Sequence, residues 1–208
     1  MTTGPGDAGT PAAVPATPPV RPVPLLNVAN VLTVSRLLLV PVFLVALFTD
    51  GGHHVLWRLV AAAIFAVASI TDHVDGNLAR SRGLVTDFGK IADPIADKAL
   101  TGSALVGLSL LGELPWWVTI VIAVREIGVT LLRFWVIRYG VIAASPGGKA
   151  KTLVQVIAIG LFVLPLPSGF RPVEWALMGV AVLLTVATGV DYVIRAIRLR
   201  MGDREPAA

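Results

Sequence analysis

The sequence predicts an all-α, polytopic membrane protein: six transmembrane helices preceded by an amphipathic helix at the membrane interface. Three observations lead there. Of 208 residues, 55% are hydrophobic and 14% charged, whereas an average soluble domain is roughly 25% charged; mean hydropathy is +0.80. From residue 25 onward, apolar runs alternate with short polar breaks, and each run approaches the roughly 20 residues a helix needs to cross a bilayer. The basic residues, finally, sort to one side of that alternation. A lipid-exposed open sheet would leave backbone groups unsatisfied, so strands are not expected. The chain has no cysteine, which excludes disulfides, thiolate metal ligands and cysteine nucleophiles.

Residues 1–24 are a Thr, Gly, Ala and Pro island holding seven of the 15 prolines. Its apolar surface is too small to offset its ordering entropy, which predicts a disordered cytoplasmic tail. It lacks the positive start and apolar run of a signal peptide. Residues 25–32 alternate Leu25, Leu26, Val28, Ala29 and Leu32 with Asn27 and Asn30, a pattern for a short helix lying in the interface. The predicted spans are 33–49, 55–78, 93–112, 115–138, 152–167 and 173–194, punctuated by Asp50-Gly51-Gly52, Gly112 to Pro115, Ser145 to Gly148 and Pro165 to Pro172. One domain covers 25–200, followed by a cytoplasmic tail, 201–208. Pro41 and Pro165 are expected to kink helices.

Orientation follows from charge. Of the 17 Lys and Arg, only Arg58 and Arg171 lie on the odd-to-even connections. The others place both termini and the connections near 80–92 and 139–151 in the cytoplasm of a multi-pass cell-membrane protein. Arg195, Arg198, Arg200 and Arg204 are placed to rest on anionic lipid heads. Trp116 and Trp117 fit an external aromatic belt. No nucleic-acid partner is expected.

The chemistry concentrates at the cytoplasmic end of the second span. Asp72, Asp75, Gly76, Ala79 and Arg80 are followed by Gly89, Asp93 and Asp97, the pattern D-x2-D-G-x2-A-R-x8-G-x3-D-x3-D. Asp72 and Asp75 are three apart, and Asp93 and Asp97 four apart, so each pair shares a helix face. Two antiparallel helices facing each other would gather four carboxylates around one point, which is prohibitive at a membrane boundary unless neutralised. Hard divalent cations, Mg2+ or Mn2+, prefer such oxygens, and two of them about cancel four carboxylates. A two-metal site suits in-line phosphoryl displacement. Gly76 and Ala79 let a ligand approach the helix closely, and Arg80 offers a fork for phosphate. Against this stands a salt-bridged cytoplasmic loop built on Arg80, Arg82, Lys90 and Lys98.

This pattern resembles the signature of the CDP-alcohol phosphotransferases, integral membrane enzymes of phospholipid synthesis, and every fixed position of that signature is present. The resemblance implies the six-helix fold with its amphipathic N-terminal helix, a homodimer, and two metal ions on Asp72, Asp75, Asp93 and Asp97. It implies a CDP-linked donor over Asp72, Gly76, Ala79 and Arg80. Asp97 becomes the base that deprotonates the acceptor hydroxyl.

For the acceptor, Arg125 and Glu126 stand about ten residues into the fourth span, where ionised groups are costly unless functional or paired. Arg133, Arg138, Lys149 and Lys151 follow toward the cytoplasm. Together these cations suit a small acceptor carrying its own phosphate, with Arg125, Arg133, Lys149 and Lys151 as its candidate binders. The lysines also serve as positive-inside markers, and Glu126 or a carbonyl could satisfy Arg125. Asn30-x2-Thr33-x2-Arg36, the Arg125-Glu126 pair and Gly148-Lys149-Ala150-Lys151-Thr152 resemble the phosphatidylglycerophosphate synthase branch of the family. That resemblance implies transfer of the phosphatidyl group of CDP-diacylglycerol to sn-glycerol 3-phosphate, releasing CMP. His73, where that branch commonly has an aromatic residue, is a small departure. Inositol phosphate or phosphatidylglycerol as acceptor are the alternatives within the family. An ion-coupled transporter is the alternative outside it, but the paired broken helices it would carry are not evident.

Overall fold

In the computed structural model the described residues are 27–82, 86–136 and 146–202. Among them there are six α-helices and no strand: α1 (Val28–Phe48), α2 (Val55–Arg82), α3 (Asp87–Leu110), α4 (Trp116–Val136), α5 (Pro146–Val163) and α6 (Arg171–Gly202). Short 3-10 turns lie at Thr49–Gly52 and Ser168–Phe170. The six predicted spans fall on these helices in order. The N-terminal tail expected over 1–24 lies outside the described residues, and α6 runs two residues into the expected C-terminal tail.

The start of the bundle differs from expectation. Asn27 caps α1 by accepting the backbone N–H of Asn30 at 2.9 Å, and the helix then continues unbroken to Phe48. Of the expected interfacial stretch 25–32, residues 28–32 are continuous with α1, because neither glycine nor proline interrupts the chain between the cap and the first apolar run, and residues 25 and 26 lie outside the described residues. Pro41 is accommodated inside α1. Pro165 ends α5 instead of kinking it, since a residue preceding proline is driven out of the helical region.

The surface is apolar and the interior holds charge. Leu38, Val45 and Leu183 are 66%, 67% and 71% exposed, while Arg36, Arg58, Lys151 and Glu174 are buried. A water-soluble protein does not sustain so continuous an apolar exterior. Three helical segments, Asn30–Gly52, Val55–Asp72 and Ser168–Arg200, are long and apolar enough to cross a membrane. The helices that fall short carry the charges singled out above: Asp93, Asp97 and Lys98 in α3; Arg125, Glu126 and Arg133 in α4; Lys149 and Lys151 at the start of α5.

Helix α1 packs on α2 and α3, α6 on α4 and α5, and α5 crosses to α2 and α3. The core between them contains Phe43, Phe65, Leu108, Ile122, Phe162 and Met178. The rings of Phe43 and Phe65 meet at 5.9 Å, and Trp175 stands edge-on to Phe162 at 5.3 Å. Ser109 and Thr119 share a buried hydroxyl–hydroxyl bond of 2.7 Å that joins α3 to α4.

The end of α3 has a further consequence. Gly112 adopts φ +75°, its N–H bonds Ser109 O at 3.1 Å and the N–H of Glu113 bonds Leu108 O at 3.0 Å. That is a Schellman motif, which needs a left-handed residue that glycine adopts without strain. The turn delivers Glu113 to the buried Arg58 guanidinium, which donates to both carboxylate oxygens at 2.8 Å. The same guanidinium donates to Val163 O at 2.9 Å and Phe162 O at 2.6 Å. One side chain thereby ties α2 to the α3–α4 turn and to the last carbonyls of α5.

Candidate active site

Helix α2 carries the first half of the aspartate signature and α3 the second, so one short connection separates the two acidic faces. The side chains of Asp75, Ala79, Arg80 and Asp93, and the surroundings of Gly76 and Gly89, lie outside the described residues, although their backbone positions belong to these two helices. The described carboxylates, Asp72 and Asp97, come from different helices and line one cavity of about 1440 Å³. One member of each pair thus faces the same cavity.

The cavity is amphipathic. Arg36, Asp72, Asp97, Lys98, Arg125 and Glu126 line its polar end, and Leu59, Ala62, Ala66, Leu161 and Leu164 line its apolar end. Thirteen residues of α2 separate Leu59 from Asp72, about 20 Å at the rise of a helix.

Arg36 is almost fully buried in α1, and its Nη1 lies 2.6 Å from Asp72 Oδ1. Asn30, Thr33 and Arg36 recur every third residue on one buried stripe of α1, and the hydroxyl of Thr86, just before α3, donates to Asn30 Oδ1 at 2.9 Å. This stripe orients the entry to α3 and the first aspartate of α2 together. The sequence pattern singled out these three residues without assigning them a task.

Across the cavity, Glu126 gathers three cations from three helices. Lys98 of α3 reaches Glu126 Oε2 at 3.1 Å and Arg125 of α4 reaches Oε1 at 3.0 Å. Lys151 of α5, nearly fully buried, also pairs with Oε1. Arg125 is held from a fourth helix as well. Its Nη2 donates to Thr188 Oγ1 at 2.8 Å, and that hydroxyl in turn donates to Leu184 O at 2.7 Å. The Tyr192 ring lies 6.0 Å from the guanidinium carbon, within range of a cation–π contact. At Gly189 an added Cβ would stand 3.1 Å from Arg125 Cγ, a tight contact that the Arg125 side chain would have to shift to relieve. Thr188, Gly189 and Tyr192 escaped the sequence reading, because they are uncharged residues in the last span. A threonine and a tyrosine one helical turn apart inside a span were the only available signal.

Of the predicted acceptor residues, Arg125 and Lys151 meet at Glu126, and Lys98 joins them unpredicted. Arg125 pairs with Glu126 and also faces the cavity. Arg133 lies on α4 and Lys149 on α5, with side chains outside the described residues.

A polar end with acids on α2 and α3 and cations on α3, α4 and α5, opening into an apolar trough, defines an intramembrane enzyme, and the chain belongs to the CDP-alcohol phosphatidyltransferase family, whose model matches residues 26–187. It is 60% identical over 184 residues, 88% of each chain, to a Mycobacterium tuberculosis protein named "Probable phosphatidylglycerophosphate synthase". It is 38% identical over 181 residues, 81% of this chain and 94% of the relative, to the Bacillus subtilis CDP-diacylglycerol–glycerol-3-phosphate 3-phosphatidyltransferase. The protein of the same name from Rickettsia bellii is 34% identical over 172 residues, 80% of this chain and 93% of the relative.

The family implies divalent metal ions. The donor set fits: Asp72 and Asp97 offer hard oxygens on one cavity, and among the described residues no histidine lines it. Among the described residues no three acidic or histidine side chains come together as a metal site. Asp75 and Asp93, which would complete one, lie one helical turn from Asp72 and Asp97 in the same helices.

Proposed function

We propose that this protein transfers the phosphatidyl group of CDP-diacylglycerol to sn-glycerol 3-phosphate, giving phosphatidylglycerophosphate and CMP. The observation that carries the reading is the amphipathic cavity: signature aspartates and a cation cluster at one end, and about 20 Å of apolar wall leading away from them. A lipid with a nucleotide head needs both ends at once. The names of the relatives agree with it.

Two Mg2+ or Mn2+ ions would be held by Asp72, Asp75, Asp93 and Asp97. When bound they supply positive charge to the phosphate oxygens of the donor. The chain's own residues do the rest. Gly76 and Ala79 leave room for the donor on α2, and Arg80 takes a phosphate. Arg36 fixes Asp72 through their ion pair. Arg125, Lys151, Arg133 and Lys149 hold the acceptor's phosphate. Asp97 accepts the proton of the acceptor hydroxyl as its oxygen bonds to the phosphorus on the lipid side. The bond from that phosphorus to the CMP oxygen breaks, and CMP departs with the electron pair.

All six helices span the cell membrane in this reading, with both termini and the aspartates on the cytoplasmic side. The support is the near absence of Lys and Arg from the opposite connections. The basic end of α6 rests on anionic lipid, and the chain works as a homodimer.

The test is turnover in lipid vesicles with Mg2+, CDP-diacylglycerol and labelled acceptors. Glycerol 3-phosphate is expected to yield labelled phosphatidylglycerophosphate and CMP in equal amounts, and a chelator to stop both. Inositol phosphate used while glycerol 3-phosphate is ignored would reassign the acceptor, and phosphatidylglycerol as acceptor would make the enzyme a cardiolipin synthase.

A further inference from the structure

Glu126 is the one acid among the described residues that meets three cations, and it does so where the acceptor's phosphate is proposed to sit. Lys98, Arg125 and Lys151 arrive from three helices and all touch its carboxylate. Among these four side chains three positive charges and one negative leave two over, and Arg133 and Lys149 would add to them. A phosphate monoester at neutral pH carries close to two negative charges, and a diester one. Without Glu126, three largely buried cations would repel one another with little solvent to screen them, and their convergence would be lost.

We infer that Glu126 is a positioning residue: it holds Lys98, Arg125 and Lys151 together, so that their converging charge favours a phosphate monoester dianion over a diester. The inference rests on the reading of this cluster as the acceptor's phosphate seat. Glu126 need not touch the acceptor. Its carboxylate occupies one side of each cation, and the outward side of the cluster faces the cavity, which Lys98, Arg125 and Glu126 all line. The hold on Arg125 from α6 keeps one cation fixed while Lys98 and Lys151, on flexible stems, depend on Glu126 for their direction.

Kinetics of the full-length enzyme in lipid vesicles test it with E126Q and E126D. The readouts are the KM for glycerol 3-phosphate, the KM for CDP-diacylglycerol, and competitive inhibition by inorganic phosphate and by dimethyl phosphate, a diester. Wild type is expected to be inhibited at least tenfold more strongly by inorganic phosphate than by dimethyl phosphate. In E126Q the acceptor KM rises tenfold or more and that preference falls to threefold or less, while the donor KM stays within twofold. In E126D, which keeps the charge on a shorter stem, both shifts are smaller than in E126Q, and this variant carries the test should E126Q not insert. An unchanged acceptor KM and an unchanged preference in the variants would overturn the inference while leaving the acceptor site standing. Inorganic phosphate failing to compete with glycerol 3-phosphate in wild type would overturn the acceptor site itself.

Discussion

Asp97→Asn is expected to lower turnover by on the order of 10³-fold or more while the protein still folds and inserts. The substitution keeps the shape of the side chain and removes both its charge and its capacity to take a proton. Among the described residues no ion pair depends on the Asp97 carboxylate; the neighbouring Lys98 pairs with Glu126 instead. The fold therefore loses little. The Thr101 hydroxyl donates to the Asp97 backbone carbonyl at 2.9 Å, a bond the substitution does not touch. Release of labelled CMP, normalised to correctly inserted protein, measures the effect. Full turnover in the variant would remove Asp97 from its role as base.

The largest effect on stability is expected at the opposite end of the bundle. Arg58→Met should destabilise the protein by about 3–5 kcal/mol, the usual consequence of removing one partner from a buried ion pair. The loss leaves Glu113 without its cation and the carbonyls of Phe162 and Val163 without their donor. Glu113→Gln should cost less, because the guanidinium retains both carbonyls. The thermal midpoint in detergent measures both, and turnover per folded molecule at low temperature should stay near wild type, since Arg58 is remote from the aspartates. An Arg58→Met midpoint equal to that of wild type would contradict the bracing role.

Composition and punctuation were enough to read the six helices, three of which are long and apolar enough to cross a membrane. The aspartate spacing was equally legible: helix geometry alone places Asp72 with Asp75 and Asp93 with Asp97. Partnerships across helices were not. Arg58 read as an exception to the charge rule, yet it is a brace whose partners lie 55 and about 105 residues away. Arg36 stood in a recognisable pattern, but only the packing of α1 on α2 assigns it to Asp72. Glu126 read as a partner for the adjacent Arg125, and nothing in the local pattern indicated that Lys98 and Lys151 would join it. Long-range pairing depends on the rotation of each helix about its axis, and buried polar residues leave only a weak trace of that rotation in a sequence that is apolar all round. Polar Asn27 and Asn30 read as an interfacial pattern; in the fold Asn27 is a cap and Asn30 faces a buried threonine.

The central claim is that α2 and α3 present their aspartates to one shared pair of metal ions. Electron paramagnetic resonance of the purified protein loaded with Mn2+ addresses it most directly. The account predicts two Mn2+ per chain with the spectrum of a magnetically coupled pair, and loss of the coupling on substituting either Asp75 or Asp93 by Asn. A single isolated Mn2+, or a spectrum indifferent to both substitutions, would contradict it.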